Sequence, residues 1–219
     1  MARRRLQILI TAGPTREAID QVRFLSNYST GYMGAELARQ SLRRGHSVTV
    51  IHGPISEAMP SGVASIRIET ARELERVLRQ RAPQADAIIM AAAIADFRPA
   101  RRASQKLKRR GQLTLRLRAI PDVIGRLPRR KGQIVAGFAL ESSKARSRGW
   151  EKLRRKHLDL VIAQETGRGS PFGRRKLSAW MLAKNGSGIS LGYTSKTRVA
   201  RLLLDKVERL WYGDKIPKR

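Results

Sequence analysis

Leu9-Ile10-Thr11-Ala12-Gly13-Pro14-Thr15-Arg16-Glu17-Ala18-Ile19-Asp20-Gln21-Val22-Arg23-Phe24-Leu25-Ser26-Asn27-Tyr28-Ser29-Thr30-Gly31-Tyr32-Met33-Gly34 runs from an apolar strand, through a long polar loop, into a helix. The strand is read over residues 6–10 and the helix over 34–44, with Leu37, Ala38, Ser41 and Leu42 inward. A dinucleotide fold makes this passage in a few residues, through Gly-x-Gly-x-x-Gly. Here residues 11–33 stand between, carrying Thr15, Arg16, Asp20, Arg23, Ser26, Asn27, Ser29 and Thr30. Loops of that length inside a domain are uncommon unless functional or disordered. One reading sets these groups around a phosphate and a reacting carbonyl at the positive helix end. The other is a decorated surface loop.

Outward from this stretch, strand-like and helix-like runs alternate. Strands are read at 48–51 and 65–68, then a helix from the Thr70 cap to Ala82, with Glu73 completing a capping box. A buried strand covers 87–92 and ends in Ala91-Ala92-Ala93-Ile94-Ala95-Asp96. Small residues there admit a ligand close to the backbone, or else serve tight helix–strand packing. Residues 97–112 are polar and strongly basic, and Leu113, Leu115 and Leu117 alternate as in a half-exposed strand. A strand at 134–138, a basic helix at 145–156 and a strand at 160–163 follow. Residues 167–173 are glycine-rich and read as mobile. Strands at 179–182 and 189–192 pair across Asn185-Gly186. The last helix, 197–212, turns Val199, Leu202, Leu203, Val207 and Leu210 inward. The expected fold is α/β, a Rossmann-like parallel sheet flanked by helices with a small antiparallel extension, residues 1–219 forming one domain.

Composition narrows the function. With no cysteine, disulfides and thiolate metal sites are excluded, and a reducing cytoplasm is the expected compartment. His46, His52 and His157 lack metal-ligand spacing. The longest apolar run, 87–95, stops at Asp96, so no membrane span is expected, and the basic start is no signal peptide. Forty-six basic against 17 acidic residues give a net charge of +29. The cations cluster at 3–5, 101–110, 129–131, 152–156 and 174–176 rather than in one tail. Aromatics, at 5%, are too few for a base-stacking platform, so specific nucleic-acid recognition is not expected. Non-specific RNA affinity is the expected by-product.

A nicotinamide reductase fits poorly. Ile51-His52-Gly53-Pro54 offers no carboxylate for an adenosine ribose. Tyr193 is followed four residues later by Thr197, so no Tyr-x-x-x-Lys pair exists, and no P-loop occurs. Many cations and few carboxylates at the ligand edge suit a substrate bearing several phosphates.

The order of the motifs is specific. Ile10-Thr11-Ala12-Gly13-Pro14-Thr15-Arg16-Glu17, Val22-Arg23-Phe24-Leu25-Ser26-Asn27 and Ser29-Thr30-Gly31-Tyr32-Met33-Gly34 are followed by Ala91–Asp96 and Lys106-Leu107-Lys108. Pro121-Asp122-Val123-Ile124, Gly137-Phe138-Ala139-Leu140-Glu141 and residues 152–159 complete the series. The chain resembles phosphopantothenate–cysteine ligase, the ligase half of the bacterial bifunctional coenzyme A biosynthesis protein, and a stand-alone ligase without the flavin-binding half is expected. The resemblance covers nearly the whole chain.

It implies a two-step reaction. The 4′-phosphopantothenate carboxylate attacks the α-phosphate of CTP, or of ATP, and cysteine then displaces the nucleotide to form an amide. Mg²⁺ would bridge the phosphates. The implied catalytic residues are Asn27, Lys106 and Arg23. Asn27 stabilises the acyl-nucleotide and its reaction with cysteine, Arg23 orients the same carbonyl or the pantothenate phosphate, and Lys106 neutralises the triphosphate in the first step. The implied nucleotide pocket is Ala92, Asp96, Lys106, Phe138, Lys152 and Lys156. Read without the resemblance, Lys152 and Lys156 are equally a solvated basic face. A homodimer is also implied. Gln164 stands where the family has asparagine, Phe172-Gly173-Arg174-Arg175 lacks the family's acidic residue, and Thr30 replaces a serine. The competing reading is a non-catalytic basic protein that binds RNA or a nucleotide.

Overall fold

The computed structural model describes residues 4–109, 111–166, 172–173 and 176–213. Along the chain run β1 (Gln7–Ala12), β2 (Arg16–Ala18), β3 (Phe24–Ser26), α1 (Tyr32–Arg43), β4 (Ser47–His52), β5 (Ala64–Arg67), α2 (Ala71–Arg81) and β6 (Ala87–Met90). Then come β7 (Phe97–Pro99), β8 (Leu117–Ala119), β9 (Ile134–Glu141), α3 (Ala145–Arg155), β10 (Leu160–Glu165), β11 (Leu177–Ala183), β12 (Gly188–Thr194) and α4 (Lys196–Tyr212).

Strand side chains alternate between faces, so a strand buried on both sides feeds two cores. In β1, Ile8, Ile10 and Ala12 join Leu37 and Ala38 of α1 and Val199, Leu203 and Val207 of α4. Leu9 goes the other way, to Leu74, Val77 and Leu78 of α2 and Leu153 of α3. The sheet between these layers has the order β12-β11-β10-β9-β6-β1-β4-β5. Its six strands from β10 to β5 pair in parallel, while β11 and β12 add antiparallel at one edge. The parallel order is that of a Rossmann sheet, reversing direction between β1 and β6.

Several expectations are corrected. The polar loop of residues 11–33 contains a short antiparallel ribbon, β2 with β3, pairing Arg16 with Ser26 and Ala18 with Phe24. Strands of three residues leave no periodic signal. Leucines 113–117 are not a strand: β8 begins at Leu117 and pairs with β7, leaving Leu113 58% exposed. Strand β6 stops at Met90, because the Ala92 N–H turns to the Thr11 hydroxyl at 3.1 Å. Thr70 caps α2, its hydroxyl accepting from Glu73 N at 3.2 Å, but the Glu73 carboxylate takes the Glu69 N–H instead of Thr70's. In α4, Leu204 is buried and Leu210 is not. The expected hairpin across Asn185-Gly186 forms, with Gly186 at φ +86°. Of the mobile stretch read at 167–173, residues 167–171 lie outside the described residues.

Helix α1 lies against β1 so closely that a Cβ on Gly34 would sit 2.3 Å from the Ala12 Cβ. Gly34→Val is expected to cost about 1–3 kcal/mol through overpacking. Urea unfolding checks this, and an unchanged midpoint would refute the contact.

Candidate active site

Ligands in open α/β sheets bind beyond the strand carboxyl ends, where strand order reverses. Two fully buried threonines hold the two strand ends together there. Thr11 Oγ1 accepts from Ala92 N, and Thr15 Oγ1 accepts from Ala95 N at 3.0 Å. Ala93 N donates to Gly13 O at 2.9 Å, and Thr15 N donates back to Ala93 O at 3.2 Å. The Ala93 carbonyl also accepts from Asn27 Nδ2 at 2.9 Å. An amide nitrogen has two N–H groups, so Asn27 keeps one beyond this bond.

Over this junction opens a cleft of about 550 Å³. Its first wall is the start of α1, lined by Ser29, Thr30, Tyr32 and Met33. Gly31, the N-cap residue, has φ +84° and no side chain to cap the helix, and the first turn has no acidic residue. The Thr30 hydroxyl just before it accepts from Tyr32 N at 3.3 Å, and the positive end of α1 faces the cleft. Gly13 at φ +72° makes the tight turn after β1, Gly31 opens the helix and Gly34 allows close packing. These are the three tasks of Gly-x-Gly-x-x-Gly, with residues 14–30 inserted between the first two.

The second wall comes from α3 and the segment before β9. Lys152 Nζ donates to Phe138 O at 2.5 Å, and Lys156 Nζ donates to Asp122 Oδ1 at 2.9 Å. Burial pushes the Lys152 ammonium down to about 8, helped by Lys156 and opposed by Glu141, Asp96 and Asp122. For Asp122, burial pulls upward but is outweighed by the Gly125 N–H, Lys156 and the Ile124 N–H, so its carboxyl lies below the ordinary range. Arg129 fixes the end of α3, donating to the carbonyls of Lys156 and His157. The third part is Gln164, Phe172 and Lys196.

The cleft thus brings together Asn27, Ala92, Asp96, Phe138, Lys152 and Lys156. Arg23 and Lys106 are not among its lining residues. Arg23 is bound to Asp20, with Nε at 3.0 Å and Nη2 at 2.5 Å from Oδ2, and Nη2 also donates to Leu107 O at 2.8 Å. Lys106 borders a separate depression with Ile19 and Pro99. Sequence reading assigned no role to Lys196 or Asp122, and noted Gln164 only as a departure. A lysine at the first position of a helix was the available signal for Lys196, since the dipole disfavours a cation there.

A model of the DNA/pantothenate metabolism flavoprotein C-terminal domain matches residues 3–210. The chain belongs to this family. The Mycobacterium tuberculosis coenzyme A biosynthesis bifunctional protein CoaBC is 37% identical over 215 residues, 92% of this chain and 51% of the relative. The chain therefore spans about half the length of the curated relatives it matches. The crystal structure of the C-terminal domain of a CoaBC protein is 31% identical, with TM-score 0.80, over 95% of this chain and 97% of that one. A Cab2 mutant in complex with phosphopantothenate-cysteine, 18% identical over 96% of this chain and 89% of that one, shares the fold at TM-score 0.72.

Asp20 organises the inserted loop. Its Oδ1 accepts from Val22 N and Arg23 N at 2.8 Å each, and Oδ2 accepts from Leu107 N at 3.1 Å. The Arg23 guanidinium, then these N–H groups, hold its carboxyl far below the usual carboxylate range despite the opposing effect of burial. A depressed carboxyl stabilises fully above its unfolded value, about 3.9, and loses that contribution as pH falls through the folded value. The Val22, Arg23 and Leu107 amide resonances are therefore expected to hold position down to about pH 4 and move only below it. Asp20→Asn should speed hydrogen exchange at all three amides at neutral pH; unchanged exchange would refute the clamp.

Proposed function

We propose that this chain joins 4′-phosphopantothenate to cysteine through an amide bond, using CTP or, failing that, ATP, within one domain of residues 1–219. The observation that carries this reading is the Asn27 amide at the strand-order reversal, between a lysine wall and the N-terminus of α1. Family membership and the CoaBC relatives agree with it, as does the ligand of the Cab2 complex. On this reading the chain is a carbon–nitrogen ligase of coenzyme A biosynthesis.

Carboxylate is a poor acyl donor, so activation comes first. The substrate carboxylate attacks the nucleotide α-phosphorus, and the bond to the β-phosphate oxygen breaks to release pyrophosphate. Lys152 and Lys156 line the cleft and would neutralise charge on the nucleotide phosphates there. The cysteine amine then attacks the acyl carbon, and the nucleoside monophosphate leaves. The remaining Asn27 N–H would donate to the oxyanion formed in that step. Ala92 lets the nucleotide approach the backbone, Phe138 lies beside it, and Asp96 helps hold it. The acidic residues lining the cleft are Asp96 and Asp122, and no group of three metal-ligating side chains occurs among the described residues. That donor set fits Mg²⁺ carried mainly by substrate phosphates, where it would offset their charge. No helix among the described residues is long and apolar enough to cross a membrane, and a cytoplasmic site of action is proposed.

Arg23 and Lys106 call for a second copy. They lie on a projection built from β2–β3 and β7–β8, joined by Ala103 N to Ile19 O at 2.9 Å. Val22, Phe24, Phe97, Leu113 and Leu117 are exposed on the same projection. We propose that a homodimer covers this face and carries both cations toward the partner's cleft. Phe97→Asp should give a monomer by light scattering and lose most turnover; a monomeric wild type would refute the dimer.

The reaction is tested by pyrophosphate release with 4′-phosphopantothenate, cysteine, Mg²⁺ and either CTP or ATP. Release that requires phosphopantothenate is expected, and the faster nucleotide identifies the cosubstrate. Asn27→Asp should slow amide formation about 100-fold through loss of one oxyanion donor. Near-normal turnover in that variant would sink the role of Asn27.

A further inference from the structure

Arg98 and Arg118 stand directly opposite one another in the β7–β8 ribbon, so their side chains share one face. Like charges in that position repel, and a ribbon of two three-residue strands has little to offset them. Arg116 joins the same face, because its carbonyl accepts from Ala100 N at 2.8 Å and continues the pairing by two residues. Phe97 and Leu117 turn to the other face, the one assigned above to the dimer. Arg98 also lines a hollow of about 450 Å³, together with Arg102 and with Arg72 from the start of α2. Arg72 borders the next depression along α2 with Arg76, and Arg102 borders the one beyond the ribbon with Arg116. Arg72, Arg76, Arg98, Arg102, Arg116 and Arg118 are all exposed and thus form one continuous track. The carboxylates along it are already engaged. Glu17 is buried and accepts from Ala71 N at 2.8 Å, Glu73 accepts from Glu69 N at 2.9 Å, and Glu75 pairs with Arg79 at 3.1 Å. Glu17 attracts Arg98 without bonding to it, and no salt bridge to any of the six arginines occurs among the described residues.

We propose that this arginine track is a docking surface for double-helical nucleic acid, held through its phosphate backbone and without regard to base sequence. A guanidinium group matches phosphate oxygens two at a time, and arginine is the residue suited to that contact. A duplex presents one negative charge per about 1.7 Å of its axis, so a row of unpaired arginines meets phosphates along its whole length. No aromatic side chain lines the hollow or the depressions on either side of it. Bases therefore have nothing to stack on, and a single strand gains nothing over a duplex. None of the six arginines lines the cleft, so a bound duplex leaves the substrates' site open. The net charge of +29 draws any polyanion toward the chain, and the track decides where it stays.

Fluorescence anisotropy with short RNA and DNA duplexes of mixed sequence, read as a function of salt, tests the assignment. Six phosphate contacts predict an affinity that falls about 10³-fold between about 50 and 200 mM salt. A chain carrying Arg72→Gln, Arg98→Gln and Arg118→Gln keeps half of them, so the fall should shrink to about 40-fold and the salt slope by about 3. Arg43→Gln, Arg201→Gln and Arg209→Gln together remove the same charge from exposed positions on the α1/α4 layer and should leave the slope unchanged. Equal losses in the two variants would overturn the track and leave net charge as the whole cause. Lysine at positions 72, 98 and 118 keeps the charge and carries the test if the glutamine variant fails to fold. It should hold the slope while weakening binding, because the two-pronged contact is lost, and unchanged affinity would count against the track. Polyglutamate that competes as well as either duplex would overturn the backbone assignment and give the face to an acidic protein. Tighter binding of a single-stranded uridine homopolymer than of both duplexes would also overturn it. The duplex bound more tightly, RNA or DNA, identifies the source.

Discussion

Everything in the cleft hangs on the hydrogen bonds that hold the ends of β1 and β6 together. Thr11 and Thr15 are fully buried, and their hydroxyls take N–H groups that a strand ending in a loop would otherwise leave unmet. Ala93 donates to one side of this junction and accepts from the other. Asn27 joins it through the same carbonyl, so its amide orientation is fixed by backbone geometry. That arrangement preorganises a donor without a flexible side chain having to find its place. The long insertion after Gly13 is what makes it possible. A short dinucleotide turn would bring the helix directly to the strand and leave no room for Asn27 to reach across.

The cleft spans both faces of the sheet, which gives its two sides different chemistry. Lys152 of α3 and Lys156 at its C-terminal cap lie on one face, held by Phe138 O and Asp122. Gln164 and Lys196 belong to the α1/α4 face. The large positive charge is likewise divided by task. Arg130 bonds the buried Asp86 at 2.8 Å, and Arg44 ties α1 to Asp205 of α4 at 2.8 Å. Arg129 closes α3, and Arg23 closes the Asp20 loop. These arginines act as planar, multi-donor struts, while the lysines in the cleft act as point charges. Net charge alone says little about ligands when so many cations are structural.

Local patterns carried much of this. Apolar strands with two-residue periodicity, the Thr70 cap and the Asn185-Gly186 turn were legible because each depends on neighbours in sequence. Leu113, Leu115 and Leu117 misled because alternation reports amphipathicity, whether or not a core lies beneath. The ribbon of β2 and β3 was invisible, since its order comes from Asp20, and Glu17 is held by Ala71 N, far along the chain. Ala92, Asp96, Phe138, Lys152 and Lys156 are implied by the family resemblance that the ordered motifs carry, and the fold brings them to one cleft with Asn27. Arg23 and Lys106 are implied by the same resemblance and do not line that cleft, because a resemblance in sequence carries no information about which face of a loop a side chain takes.

By itself, then, the sequence determined the α/β class, the main strands and helices, and the family to which the chain belongs. These follow from short-range periodicity and from ordered motifs. Tertiary structure alone decided that the Gln164 amide nitrogen is buried without a partner among the described residues, that Lys196 lines the same cleft, and that Arg23 is held by Asp20 outside it. The reason is physical. Desolvation and hydrogen-bond satisfaction are set by atoms brought together from distant segments, and no local pattern encodes them.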